Sequence, residues 1–199
     1  MRVAGLILAA GESARMGRPK ATLELDGRSF VELGVATLRA AGCSPVLIVD
    51  GAHRLDALDH ASVVHNAQWH RGPLSSLQVG LREALAREPR LDAVVVHHVE
   101  RPRVRAQTVR ALLEASRGSP ACIWQPCHGG RSGHPLLWPC ALFEALLHLD
   151  PSHETARALT RGAAASQRRK LEVDDPGVLI DASSDEGMTR ARAALADAA

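Results

Sequence analysis

Residues 6–20 read LILAAGESARMGRPK, and this stretch decides the fold that the sequence predicts. The apolar run Val3–Leu8 is typical of a buried strand, and it leads directly into a loop of small residues. Gly11 and Gly17 allow the backbone to turn sharply, and the loop ends in a basic cluster that includes Lys20. Consecutive N–H groups in such a loop can point at one anion. The stretch therefore predicts a strand followed by a polyphosphate-binding loop.

The spacing of this loop excludes two common phosphate-binding motifs. A P-loop requires Ser or Thr directly after its lysine, but Lys20 is followed by Ala21. The G-x-G-x-x-G fingerprint of dinucleotide-binding folds is also absent. The stretch instead resembles the signature L-A-A-G-x-S-x-R-M-G-x-x-K of the nucleotidyltransferases that activate molybdopterin, above all the molybdenum cofactor cytidylyltransferases. The related guanylyltransferases usually carry L-A-G-G, whereas residues 8–11 read LAAG, so the resemblance favours CTP.

Length and composition describe an ordinary globular chain. Its 199 residues are 46% hydrophobic and 23% charged, so we expect one nucleotidyltransferase-like domain over residues 1–199. The formal charge of +2, the absence of Tyr and the presence of two Phe argue against a nucleic-acid partner. The apolar runs are too short to span a membrane. Four cysteines without C-x-x-C spacing, and no signal peptide before them, predict a cytoplasmic protein with reduced thiols.

Short apolar runs alternate with helical patterns along most of the chain. Strands are predicted over residues 3–8, 45–49, 62–64, 93–97, 121–124 and 171–173, and helices over 30–41, 74–86, 106–116, 139–149 and 154–160. This alternation favours the α/β class, as a three-layer αβα sandwich around a mostly parallel, Rossmann-like sheet. Ligands bind beyond the carboxyl ends of such strands, where we expect the Gly11 loop, residues 97–102 and the segment after Ile180 to meet. The resemblance adds that the fold is of the nucleotide-diphospho-sugar transferase type.

Two further stretches carry the resemblance. Residues 66–77 read NAQWHRGPLSSL and look like the N-x-x-W-x-x-G-x-x-S-S-L element of the family, which implies nucleoside contacts by Asn66, Ser75 and Ser76. Either serine can instead be an ordinary helix-capping residue. The G-P-L within this stretch also occurs in the guanylyltransferase branch, so the base stays open at this point. Gly-His134-Pro resembles a segment that borders the acceptor pocket in the family, which implies that His134 binds the acceptor, with a structural hydrogen bond in a turn as the alternative.

The acidic positions depart from the family pattern. The family holds Mg²⁺ with the Asp of a D-x-P motif and with the second acid of a terminal D-x-D-T-P motif. Here Glu100 stands at the first position, followed by Arg101 as a competing cation, and the terminal motif keeps Asp181 but has Ser183 at the second acid. Glutamate is longer by one methylene, and Mg²⁺ demands near-ideal octahedral geometry. The resemblance therefore implies a metal site at Glu100 and Asp181, for Mg²⁺ or Mn²⁺, that is weaker than in relatives.

A second set of metal ligands is an alternative at the same place. His97 and His98 adjoin on a predicted strand, so at most one of them faces the site. His98, Glu100 and His134 together form a set that suits Mn²⁺ or Zn²⁺, and solvated or core histidines are the competing interpretation.

Taken together, the resemblance implies a nucleotidyltransferase that moves CMP from CTP, or a nucleoside monophosphate from another nucleoside triphosphate, to molybdopterin or another phosphorylated acceptor. Arg15 and Lys20 are expected to be catalytic, because they stabilise the charge on the leaving pyrophosphate. The expected nucleotide-binding residues are Leu8, Ala9, Ala10, Gly11, Glu12, Ser13, Met16, Gly17, Asn66, Ser75 and Ser76. Two alternatives stay open: a catalytically impaired relative that binds nucleotide or pterin as a carrier or partner, and a nucleotidyltransferase for a sugar phosphate or other acceptor.

Overall fold

A mixed, mostly parallel sheet forms the centre of the protein in the computed structural model, which describes residues 1–12, 18–152, 156–162 and 164–194. The strands within these ranges are β1 (Val3–Leu8), β2 (Glu24–Leu25), β3 (Arg28–Ser29), β4 (Val46–Asp50), β5 (Ser62–His65), β6 (Ala93–His98), β7 (Ile123–His128), β8 (Arg131–Ser132), β9 (Leu136–Pro139) and β10 (Arg168–Glu172). The main sheet has the order β10-β7-β9-β6-β1-β4-β5, with β8 paired to β7, while β2 and β3 pair separately. Strand β9 is antiparallel to both β6 and β7.

Strand β1 lies between β4 and β6 and is parallel to both. All six of its residues are buried, as expected for a strand that is paired on both sides and covered on both faces. Because alternate side chains point to opposite faces, Ile7 belongs to one apolar core and Leu6 to the other. This explains why the stretch is a continuous apolar run rather than an alternating one.

Six helices among the described residues cover the two faces of the sheet: α1 (Phe30–Ala40), α2 (Pro73–Arg87), α3 (Ala106–Gly118), α4 (Phe143–His148), α5 (Ala156–Arg161) and α6 (Asp185–Ala193). Helices α1, α3 and α6 contribute to the core that contains Ile7. Helices α2, α4 and α5 contribute to the core that contains Leu6. The predicted α/β fold with three αβα layers and a mostly parallel sheet is therefore confirmed. None of the helices in the described part of the chain has the length and apolar character needed to cross a bilayer.

The structure departs in detail from the predicted elements at two places. The helix predicted over residues 139–149 is confirmed as a helical segment, but it consists of a 3-10 turn over Cys140–Leu142 followed by the short helix α4, and Pro139 is the last residue of β9. Pro176–Leu179 forms a 3-10 helix that none of the predicted elements includes. The carboxylate of Asp175 accepts a hydrogen bond from the Gly177 N–H at 3.0 Å and so begins that helix.

His97 is a histidine in the core beneath α1. It is 1% exposed, and a Cβ placed on Gly34 of α1 would lie 3.2 Å from its Cδ2. Neither ring nitrogen has a hydrogen-bond partner among the described residues. Burial, with smaller contributions from His98 and Arg101, lowers the pKa of His97 to about 3. The ring is therefore neutral at physiological pH.

We expect His97→Leu to make the stability of the protein less dependent on pH. The unfolded chain protonates this histidine near its ordinary pKa of 6.5, but the folded chain does so only near 3. The folded state therefore has its full stability from this group above pH 6.5 and loses it as the pH falls towards 3. Between pH 7 and pH 5 the wild type should lose about 2 kcal/mol that the variant keeps, measured by urea unfolding. The exposed His148, changed to Gln, is the control, and equal pH slopes in wild type and His97→Leu would contradict the prediction.

Candidate functional site

The carboxyl ends of β1 and β6 lie side by side in the middle of the sheet, with Leu8 opposite His98. From β1 the chain proceeds to β4 and β5 on one side, whereas β6 lies on the other side. This is a topological switch point, the place where open α/β sheets bind ligands. The loops that follow both strands begin together here, since the Val99 N–H donates to the Leu8 carbonyl at 3.3 Å.

The first residues of the predicted phosphate loop continue from β1. Ala10 is 5% exposed, and its carbonyl accepts a hydrogen bond from the Ala52 N–H at 3.0 Å. A Cβ on Gly51 would lie 2.8 Å from the Ala10 Cβ, so the methyl group of Ala10 packs against the end of β4. The Glu12 carbonyl is 3.0 Å from His53 Nε2. The Ala10 side chain is therefore part of the protein interior.

The structure describes some of the predicted loop residues and not others. Leu8, Ala9, Ala10, Gly11 and Glu12 lie at the switch point, with Gly11 and Glu12 exposed. Ser13, Arg15, Met16 and Gly17 lie outside the described residues. Lys20, on the far side of the loop, begins a 3-10 turn over Lys20–Thr22.

Charged and titratable side chains converge on this rim from three segments: Lys20, His98, Glu100, Arg101 and Asp181. His98 Nδ1 is 3.9 Å from Glu100 Oε1, and Arg101 Nη2 is 3.5 Å from Asp181 Oδ2. The Glu100 carbonyl accepts a hydrogen bond from the Ala182 N–H at 2.9 Å, which joins the loop after β6 to the segment after Ile180. The sequence prediction that these segments meet is thus confirmed.

The pKa values at this rim follow from burial and from the neighbouring charges. Burial holds the pKa of His98 below its ordinary value; the Glu100 carboxylate opposes this shift, and Arg101 and Lys20 add to it. Burial raises the pKa of Asp181, but hydrogen bonds from Ser183 and the charges of Arg101 and Lys20 outweigh it, so this pKa lies below its usual range. Near neutral pH the rim therefore contains a neutral His98 and an ionised Asp181.

The residues of the rim fit a divalent metal poorly. Asp181 Oδ1 accepts the Ser183 N–H at 3.0 Å, and Oδ2 faces the Arg101 guanidinium. Within the described ranges no three or more His, Cys, Asp and Glu side chains are grouped to hold a metal ion, which contradicts the set of His98, Glu100 and His134. Glu100 and Asp181 do lie on segments that touch, and their metal-binding role stays a prediction.

The three residues predicted to contact the nucleoside form a buried network instead of an open polar surface. Asn66 is 2% exposed, and its Nδ2 donates to Ser75 Oγ and Ser76 Oγ, each at 2.9 Å. Its Oδ1 accepts the Gln68 N–H at 2.9 Å. Ser75 Oγ donates to the Gly72 carbonyl at 2.8 Å, and Gly72, not a serine, is the N-cap of α2. These side chains fix the loop 66–72 to the first turn of α2, and direct contact with a nucleoside stays a prediction.

A cavity of about 500 Å³ opens beside the rim, on the face of the sheet covered by α2. Its wall is apolar at Leu8, Leu74, Leu77, Val96, Leu136 and Trp138, and polar at His98, Arg101, Gln125, His134, Arg161 and Arg168. His134 stacks edge-to-face on His98, with 4.7 Å between the ring centroids, so the predicted acceptor residue lies in the cavity wall. Arg168 Nε donates to Gln125 Oε1 at 2.9 Å. The combination suits a flat ring system with an anionic substituent.

Sequence reasoning missed most of this wall. Gln125, Trp138 and Arg168 come from three strands, and no local motif joins them. The available signal was the Gly-His134-Pro resemblance just before β9, which marks His134 but shows neither Gln125 nor Arg168.

A mostly parallel central sheet with a loop after β1, basic side chains at the switch point and an adjoining cavity is the arrangement expected of a nucleotidyltransferase. The family model described as the MobA-like NTP transferase domain matches residues 5–171, and the chain belongs to this family.

Relatives of similar identity carry different names. The chain is 32% identical over 169 residues to the probable molybdenum cofactor guanylyltransferase of Opitutus terrae, with 83% of this chain and 76% of that protein covered. It is 31% identical over 172 residues to the nicotine blue oxidoreductase of Paenarthrobacter nicotinovorans, with 80% and 81% covered. The crystal structure of Rv0371c from Mycobacterium tuberculosis H37Rv in complex with manganese shares the fold, with a TM-score of 0.73 at 24% identity and coverage of 97% and 99%.

Proposed function

We propose that this protein, acting as one domain over residues 1–199, transfers a nucleoside monophosphate from a nucleoside triphosphate to the phosphate of molybdopterin or a similar phosphorylated acceptor. The observation that carries the proposal is that the start of the glycine loop, the basic side chains and the cavity adjoin at one switch point. The family match and the relatives named as molybdenum cofactor guanylyltransferases support it.

Each part of the site has a task in this reaction. The loop N–H groups of residues 10–17, with Arg15 and Lys20, hold the triphosphate. The cavity holds the pterin against its apolar wall, with His134 at its border and Arg168 attracting the acceptor phosphate. An oxygen of that phosphate attacks the α-phosphorus, a new P–O bond forms, the bond to the β-phosphate oxygen breaks, and pyrophosphate leaves. No nucleophile from the protein is required.

For a divalent metal, the proposal names only the residues that would hold it. Mg²⁺ or Mn²⁺ would be held by Glu100 and Asp181, and when bound it would neutralise phosphate charge. Since Arg101 already faces Asp181 at 3.5 Å, we assign no step of the reaction to a metal.

GTP is the proposed donor, and CTP is the alternative. The LAAG sequence of residues 8–11 favours CTP by resemblance. However, the methyl group of Ala10 is packed against the end of β4, which limits its contact with a bound base. The relatives named as guanylyltransferases then favour guanine.

Pyrophosphate release tests the proposal directly. Each of GTP, CTP, ATP and UTP is supplied with and without molybdopterin, in Mg²⁺ and in Mn²⁺. We expect release that requires molybdopterin and is fastest with GTP. Faster release with CTP would restore the cytidylyl assignment, and release that requires a sugar phosphate instead of molybdopterin would replace the acceptor. Absence of release with every nucleotide and acceptor would contradict a transferase.

A catalytically impaired relative is the second candidate, and one contact favours it. The Arg101–Asp181 pair, with Ser183 at the position of the second acid, alters the place where the family pattern has its metal ligands. This candidate predicts nucleotide binding by calorimetry with no pyrophosphate release under any of the conditions above.

A further inference from the structure

We propose that the guanidinium of Arg101 takes the place of a divalent metal, so that the site binds a nucleoside triphosphate in the absence of Mg²⁺ or Mn²⁺. The inference rests on the proposed function, because it concerns the triphosphate of the same donor. In this proposal Arg101 binds the phosphates directly, in addition to lying beside Glu100 in the sequence.

The position of Arg101 places its charge at the switch point. It lies three residues after the end of β6, and its side chain lines the cavity that opens beside the rim. The side chain is 17% exposed, so the guanidinium is largely withdrawn from solvent, where its interaction with a phosphate is screened less than at the surface. Lys20 stands close enough to the same carboxylate, Asp181, to lower its pKa. The rim thus presents two cations without a metal.

Arg101 is held in place by a segment distant in sequence. Its Nη1 donates to the Val178 carbonyl at 3.4 Å, and its Nη2 is 3.5 Å from Asp181 Oδ2. The hydrogen bond from the Ala182 N–H to the Glu100 carbonyl fixes that segment against the loop after β6. The guanidinium is therefore oriented before any ligand arrives, while its remaining N–H groups are able to meet phosphate oxygens.

The carboxylate that a metal would use is already engaged. Asp181 Oδ1 accepts the Ser183 N–H at 3.0 Å, and Oδ2 faces Arg101. A metal ion at Asp181 would have to displace the guanidinium. The two charges of the metal and the charge of Lys20 would then lie next to the carboxylates of Glu100 and Asp181. Ser183, which replaces the second acid, offers only a neutral hydroxyl. The charge balance that the family reaches with a metal is here reached with an arginine.

Calorimetric titration of GTP and CTP into the wild-type protein, in EDTA and again in Mg²⁺, tests the inference. We expect the dissociation constants in the two buffers to agree within about threefold, a difference below about 0.7 kcal/mol. Arg101→Gln should weaken binding in EDTA by about 10- to 100-fold, which corresponds to loss of one charge-assisted hydrogen-bonded contact. The same variant should bind more tightly in Mg²⁺ than in EDTA, because Asp181 is released for the metal.

Two further variants keep the test decisive. Arg105→Gln is the matched control, because this arginine begins α3, lies near Asp175 instead of Asp181, and should leave binding unchanged. Arg101→Lys keeps the charge but not the planar fork, and it should retain part of the affinity in EDTA. Wild-type binding that requires Mg²⁺, or undiminished binding by folded Arg101→Gln in EDTA, would overturn this inference alone. No binding of any nucleotide in either buffer would overturn the proposed function together with it.

Discussion

Lys20→Ala is expected to lower kcat for pyrophosphate release by about 10²- to 10³-fold, the usual effect of removing one preorganised donor from a developing charge. Lys20 stands at the end of the loop that follows β1, and its ammonium influences the pKa of both His98 and Asp181. It therefore lies at the rim where the proposed reaction separates pyrophosphate from the nucleotide. Because that charge grows in the transition state, kcat should fall more than nucleotide affinity does.

The chain contains a suitable control for this prediction. Lys170 is an exposed lysine on the edge strand β10, and Lys170→Ala should leave turnover unchanged. Lys20→Arg keeps a positive charge with a different shape, and it should recover part of the rate. Turnover and nucleotide affinity are measured separately, by coupled pyrophosphate detection and by calorimetry. A Lys20→Ala protein that turns over at the wild-type rate would contradict the assignment.

Gly187→Ala is expected to lower the free energy of unfolding by about 2–3 kcal/mol, a typical cost of forcing an extra methyl group into packed structure. Gly187 lies in the first turn of α6, and its N–H donates to Ser184 Oγ at 3.2 Å. A Cβ at this position would collide with the Asp181 carbonyl oxygen and would lie 3.2 Å from the Ala182 Cα. Since both neighbours are backbone atoms, the segment 181–183 has to shift.

Gly118→Ala is the matched control for that measurement. Gly118 is the last residue of α3, and a Cβ there meets nothing within 4 Å. Alanine is the better helix former by up to about 1 kcal/mol, so this substitution should be neutral or stabilising. Urea unfolding of both variants gives the comparison. Equal stability of the two variants would contradict the packing argument at Gly187.

The central sheet could be predicted from the sequence because its strands are continuous apolar runs. Val3–Leu8 and Ala93–His98 are buried on both faces, and burial of that kind leaves an unmistakable pattern. Strand β10 has exposed polar residues, and the strand predicted over residues 171–173 overlaps only its last two positions. Helix α6 has few apolar residues, so no pattern of burial marks it. The antiparallel insertion of β9 between β6 and β7 depends on pairing with distant strands, and a local periodicity cannot show it.

The sequence predicts where the candidate site lies but not which of its residues contact each other. Loops after parallel strands meet at one edge, and this rule brings Lys20 and Glu100 together. Asp181 follows a 3-10 helix and joins them through the hydrogen bond from the Ala182 N–H to the Glu100 carbonyl. The pairing of Arg101 with Asp181 joins residues 80 positions apart, and only the folded backbone shows it. In the same way, the sequence marks Asn66 and the two serines as a unit but does not reveal that they bond to each other.

The hydrogen bonds of Asn66 have a consequence for ligand recognition. Its Nδ2 donates to two hydroxyls and its Oδ1 accepts one backbone N–H, so the segment 66–72 is already fixed to the first turn of α2 before a ligand binds. Under the predicted nucleoside contact, a base that binds this segment loses its own translational and rotational freedom but immobilises few additional side chains of the protein. If the predicted nucleoside contact holds, selectivity between bases depends mainly on the backbone shape of residues 66–72, and changing the base preference requires a redesigned loop instead of one substitution.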